Sequence, residues 1–120
     1  MRLILLVLVT LASCSKTSEP SAPPPTASAK DPAAGKRQIE SGALVLDVRT
    51  LDEYQADSYP GAKHIPVDEL GARMAEVGTD KSKPIVVYCA SGNRAGKAKR
   101  ELEAAGYTQV VNGGGLDDLR

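Results

Sequence analysis

The sequence predicts a small α/β domain built on a mainly parallel central sheet flanked by helices. Two compact apolar runs, one over Leu44, Val45 and Leu46 and one over residues 85–88, have the unbroken hydrophobicity of strands covered on both faces. Segments with helical spacing alternate with these runs, and glycine or proline marks the joints. A chain of 120 residues has room for one domain. Phe and Trp are absent, so the core must be aliphatic.

Each element follows from its local residues. Residues 36–41 fit a short helix that Gly42 stops, and residues 43–48 form the first strand. Thr50 can cap a helix over residues 51–56, with Asp52 and Glu53 placed favourably in its first turn. Tyr59-Pro60-Gly61 is a turn, and residues 62–65 are a very short strand closed by Pro66. Leu70, Met74 and Val77 have helical spacing, which predicts one helix over residues 68–77 with Gly71 inside it. Pro84 precedes the second buried strand, residues 85–88. A glycine-containing loop then leads to a helix over residues 95–105, stopped by Gly106. Val110 and Val111 form a last short strand, and Asn112-Gly113-Gly114-Gly115 leads into residues 116–120.

The N-terminus has a different character. Arg2 and the apolar run over residues 3–9 have the layout of a signal peptide, well short of the about 20 apolar residues that span a bilayer. Leu11-Ala12-Ser13-Cys14 resembles the lipobox of bacterial lipoproteins. That resemblance implies removal of residues 1–13 and a lipid on Cys14. An ordinary secretory signal with an incidental cysteine would share the same layout. Residues 14–34 are rich in Ser, Pro and Ala and read as an extended tether, with the domain occupying residues 35–120. The expected location is therefore the periplasmic face of a bacterial membrane. Ser15 lacks the acidic character that resembles an inner-membrane retention signal, which is compatible with the outer membrane where the source has two membranes.

Charge and cysteine content narrow the function. Lys+Arg and Asp+Glu both number 15, and no run is strongly basic, so no nucleic-acid partner is expected. A monomer is expected. Of the two cysteines, Cys14 lies across the tether from Cys89, which disfavours a disulfide between them. With Cys14 lipidated, Cys89 is a lone thiol in an oxidising compartment, and a reactive role explains it.

Cys89 sits where a buried strand ends and a helix soon begins, the position at which α/β sheets collect ligands. Ala90, Ser91 and Gly92 are small enough for the backbone to curl, with successive N–H groups facing one concavity. Such a nest at a helix N-terminus binds anions and favours a thiolate over a thiol. Arg94 adds positive charge within reach. The bland reading of the same position is an inert core cysteine.

Cys89-Ala90-Ser91-Gly92-Asn93-Arg94 resembles the active-site loop of rhodanese domains: a cysteine, four residues including a glycine, then arginine. Asp47-Val48-Arg49 with Glu53-Tyr54, residues 59–66, and Gly106-Tyr107 with residues 112–115 resemble the family's other signatures, in family order. The resemblance implies a sulfurtransferase with no metal or organic cofactor. Its Cys89 would take the outer sulfur of thiosulfate or a similar small anion as a persulfide. The loop amides of Ala90, Ser91, Gly92, Asn93 and Arg94 would bind substrate, and a thiol or cyanide would accept the sulfur. Related phosphatases and arsenate reductases carry one more residue between cysteine and arginine, and Tyr88 stands where many cysteine phosphatases have histidine. The same resemblance is compatible with a non-catalytic persulfide carrier and with a rhodanese-fold binding module.

Asp47, Arg49 and Glu53 are expected to form a structural ion-pair network beside the site. His64 is expected to be a hydrogen-bonded structural residue, and Met74 core. The charged residues between Lys97 and Glu103 read as a solvated helix face. The family often carries an aromatic residue after the terminal glycines, where this chain has Leu116 and Leu119.

Overall fold

The computed structural model describes residues 29–120; the expected signal segment, Cys14 and most of the tether lie outside them. The elements are α1 (Pro32–Glu40), β1 (Leu44–Asp47), α2 (Leu51–Ala56), β2 (Lys63–His64), α3 (Val67–Leu70), a 3-10 turn (Met74–Val77), β3 (Ile85–Cys89), α4 (Asn93–Ala104), β4 (Val110–Gly115) and α5 (Leu116–Leu119). The four strands form one sheet in the order β2-β1-β3-β4, and every neighbouring pair is parallel. The predicted fold class is the one observed.

The pleat divides the core into two layers, because successive strand residues face opposite sides. Leu46, Val48, Ile85, Val87 and Cys89 pack with Leu70, Ala95, Ala98 and Leu102, on the side of α3 and α4. Val45, Val86 and Tyr88 pack with Leu116, Leu119 and Ile39, on the side of α1 and α5. β1 and β3 are buried along nearly their whole length, in keeping with their continuous apolar sequences.

Several boundaries differ from the sequence-based expectation. α1 begins at Pro32 rather than residue 36, so the folded unit reaches into the stretch assigned to the tether. Asp31 caps it by accepting from the Ala34 N–H at 3.1 Å, and Pro32 fits the first helical position, where no amide donor is needed. The helix expected over residues 68–77 is instead α3 followed by the 3-10 turn. Gly71 lies at the break, and the two short pieces still bury Val67, Leu70 and Val77. β3 includes Cys89, and α4 starts at Asn93, so Asn93 and Arg94 belong to its first turn.

The largest difference is β4. The glycines expected to form a connection continue the strand to Gly115. Their lack of side chains is what permits it. A Cβ on Gly113 would lie 2.9 Å from Val86 Cγ1, and one on Gly115 would lie 2.3 Å from the carbonyl oxygen of Ala90. The strand can therefore lie close against both the core and the loop after Cys89.

Candidate active site

β3 delivers Cys89 to the carboxyl end of the sheet, where it pairs with Gly115 after a register shift between Val87 and Cys89. Cys89 is a free thiol with no exposed surface. Burial alone is the mark of an inert core cysteine. Here, however, the chain curls so that the Gly92 N–H donates to Cys89 Sγ at 2.9 Å. This sets a backbone donor against the sulfur, and the N-terminus of the twelve-residue α4 follows directly. Gly92 takes φ +100°, a left-handed conformation that side-chain-bearing residues rarely adopt. Ala90, Ser91 and Asn93 are exposed around this buried centre.

Arg94 does not stand free over the loop. Its Nη1 and Nη2 donate to Glu53 Oε1 and Oε2 at 2.7 and 3.0 Å, a bidentate pair joining α4 to α2. Glu53 Oε1 also accepts from the Thr50 hydroxyl at 3.1 Å and from the Thr50 N–H at 3.4 Å, while the Glu53 N–H donates to Thr50 Oγ1 at 3.3 Å, a capping box at the start of α2. The Arg94 pairing, more than the Thr50 contacts, holds the Glu53 carboxyl at a pKa of about 2, below its ordinary 4.5. The same pair raises the Arg94 pKa, and the nearby Cys89 sulfur contributes a smaller effect in the same direction.

The expected single network of Asp47, Arg49 and Glu53 is thus two separate pairs. Asp47 lies at the end of β1, and its Oδ2 accepts from Arg49 Nη2 at 2.8 Å and from the Tyr88 hydroxyl at 2.7 Å. Arg49 Nη2 also donates to the Asp57 carbonyl. Tyr88 accepts from the Tyr59 N–H at 2.9 Å. Burial, helped by the Asp47 hydrogen bond, pushes the Tyr88 hydroxyl up to about 12, so it remains a neutral donor. Glu53 is drawn elsewhere because it lies on α2, outside the sheet, and faces the start of α4. An open cleft lined by Arg49, Asp57, Ala90, Leu116 and Arg120 flanks the loop, with Leu116 in the stretch where the family often has an aromatic residue.

His64 is structural, as expected: its Nε2–H donates to the Arg49 carbonyl at 2.8 Å and its ring stacks on Tyr54. Sequence reasoning missed Asn112. This buried side chain reaches from β4 to the Gly92 carbonyl, donating through Nδ2 at 2.9 Å, while its Oδ1 accepts from the Gly114 N–H at 2.9 Å. A polar residue heading a glycine run was the only available signal. Tyr88 stands out in the sequence only for what it replaces, although an aromatic hydroxyl in a buried strand requires a partner.

A strand-borne cysteine under a curled loop, ahead of a helix N-terminus, defines a class of anion-handling thiol proteins. The rhodanese-like domain model matches residues 31–118. Thiosulfate sulfurtransferase PspE of Escherichia coli is 42% identical over 74 residues, which are 62% of this chain and 71% of that protein. Thiosulfate sulfurtransferase GlpE of Pseudomonas savastanoi pv. phaseolicola is 32% identical over 77 residues, again 62% of this chain and 71% of that protein. A solved rhodanese with anions from E. coli superposes with a TM-score of 0.61 at 40% identity, covering 64% of this chain and 91% of that one. The chain belongs to the rhodanese-like domain family. Its function is that of a rhodanese-type sulfurtransferase.

Proposed function

We propose that thiosulfate is the sulfur donor and that Cys89 is the residue that carries the sulfur. The Cys89 thiolate attacks the outer sulfur of thiosulfate. A bond forms between Cys89 Sγ and that sulfur, the donor's S–S bond breaks, and the electron pair leaves with sulfite. The persulfide anion that remains gives its outer sulfur to a thiolate or to cyanide, which regenerates the Cys89 thiolate. The Gly92 N–H on Cys89 Sγ carries this reading, since it supports negative charge at the sulfur that must attack. The neighbouring amides of residues 90–94 would receive the departing anion.

The test is intact mass of the full chain after incubation with thiosulfate, beside Cys89→Ser. The wild type should gain one sulfur, and cyanide should remove it as thiocyanate. Freshly reduced protein of unchanged mass would rule out this donor. Loading without turnover would make the chain a carrier.

The proposal extends to placement: export, with a lipid on Cys14 tethering the domain at the periplasmic face of a bacterial membrane. Its support is the Leu11-Ala12-Ser13-Cys14 motif and the Pro-rich stretch that follows.

A further inference from the structure

We infer that Asn112 is a positioning residue for the sulfur-accepting loop; this rests on the reading of Cys89 as the nucleophile. Asn112 lies on β4, across from the loop, and is almost fully buried. Its Nδ2 donates to the Gly92 carbonyl, which also accepts from the Gly96 N–H at 2.9 Å in the first turn of α4. Two donors thereby hold one carbonyl.

The consequence follows from peptide geometry. All described peptides are trans, so a peptide's C=O and N–H point in opposite directions. A Gly92 carbonyl held toward Asn112 and Gly96 turns the Asn93 N–H the other way, onto the open side of the loop. That N–H is among the first amides of α4, which have no partner within the helix. The preceding peptide carries the Gly92 N–H that already contacts Cys89 Sγ. One side chain on another strand thus orients the Asn93 amide, the next along from the one beside the sulfur.

Asn112 is itself well anchored. Its Oδ1 accepts from Gly114, and its own carbonyl accepts from the Asp31 N–H at 2.7 Å. The loop, the glycine run and the residue capping α1 therefore meet at this position.

Two variants of the full chain separate a positioning role from simple support of β4. Asn112→Asp keeps the acceptor for Gly114 and the side-chain size, but opposes the Gly92 carbonyl with oxygen in place of N–H. Asn112→Ala is uncharged, so agreement between the two excludes charge as the cause. Single-turnover mass spectrometry should show both still loading sulfur on Cys89, at least about ten-fold more slowly, since both lose the hydrogen bond to the Gly92 carbonyl and Asn112→Ala also loses the one from the Gly114 N–H. The KM for thiosulfate should rise more than kcat falls. Amide exchange should accelerate at residues 92–94 and stay unchanged in β1. Folded variants with wild-type loading and unchanged loop exchange would overturn the role of Asn112. If the wild type itself takes no sulfur, the Cys89 reading fails, and the exchange data still decide whether Asn112 holds the loop.

Discussion

At the scale of single residues, two ion pairs of different burial should behave differently. Asp47 and Arg49 are both buried, with side-chain exposures of 0% and 8%. Replacing Asp47 with Ala leaves a guanidinium uncompensated in the core and the Tyr88 hydroxyl without its acceptor. Urea unfolding should show a loss of about 3–5 kcal/mol. The Glu53–Arg94 pair is about one-third exposed on each side chain, so solvent screens it, and Glu53→Gln should cost only about 1 kcal/mol at neutral pH. The carboxyl's folded pKa is depressed from 4.5 to about 2. Its contribution is therefore fully present above pH 4.5 and lost as pH falls toward 2. The stability gap between wild type and Glu53→Gln should shrink across that window, as unfolding curves at successive pH values would show. Arg94, held by Glu53, serves the loop first as a fastening between α4 and α2.

At the scale of elements, β4 and α1 matter most to the site. Gly115→Ala would place a methyl group 2.3 Å from the Ala90 carbonyl oxygen. Backbone must move, and the residue it moves directly follows Cys89. We expect a stability loss of about 1–3 kcal/mol and a larger proportional loss of sulfur transfer, measured by unfolding and by thiocyanate release. The N-terminal end of α1 contributes through Asp31, whose N–H bonds to the Asn112 carbonyl and whose side chain caps the helix. A chain starting at Gly35 should consequently be less stable than one starting at Ala29, by at least the roughly 1 kcal/mol of a lost cap. Thermal unfolding of the two would check this. Both effects escape sequence reasoning for one reason. Apolar periodicity reports burial, whereas a glycine strand and a capping aspartate at the end of a Pro-rich stretch look like connection until their neighbours are known. β1 and β3 are legible because both of their faces are apolar.

At the scale of the whole molecule, the parallel sheet explains why the site is where it is. The reactive cysteine, the Asp47–Arg49 pair and the end of the glycine strand all lie at the carboxyl ends of neighbouring strands. Helix packing on both faces leaves this edge as the place where loops converge. If the proposed anchor operates, Cys14→Ser should release the protein from the membrane fraction while leaving specific activity unchanged. Fractionation of cells expressing either form, with thiosulfate turnover measured in each fraction, would check it.

The fold class, the buried strand that leads to Cys89, the small-residue loop and the helix behind it are all legible in the sequence. These depend on local composition and spacing, which a chain carries before it folds. The pairing of Glu53 with Arg94, the bond from Tyr88 to Asp47 and the reach of Asn112 to the Gly92 carbonyl come from packing alone. These contacts join residues 41, 41 and 20 positions apart. Hydrogen bonds depend on distance and direction, and across such separations both are set by how the sheet and helices pack.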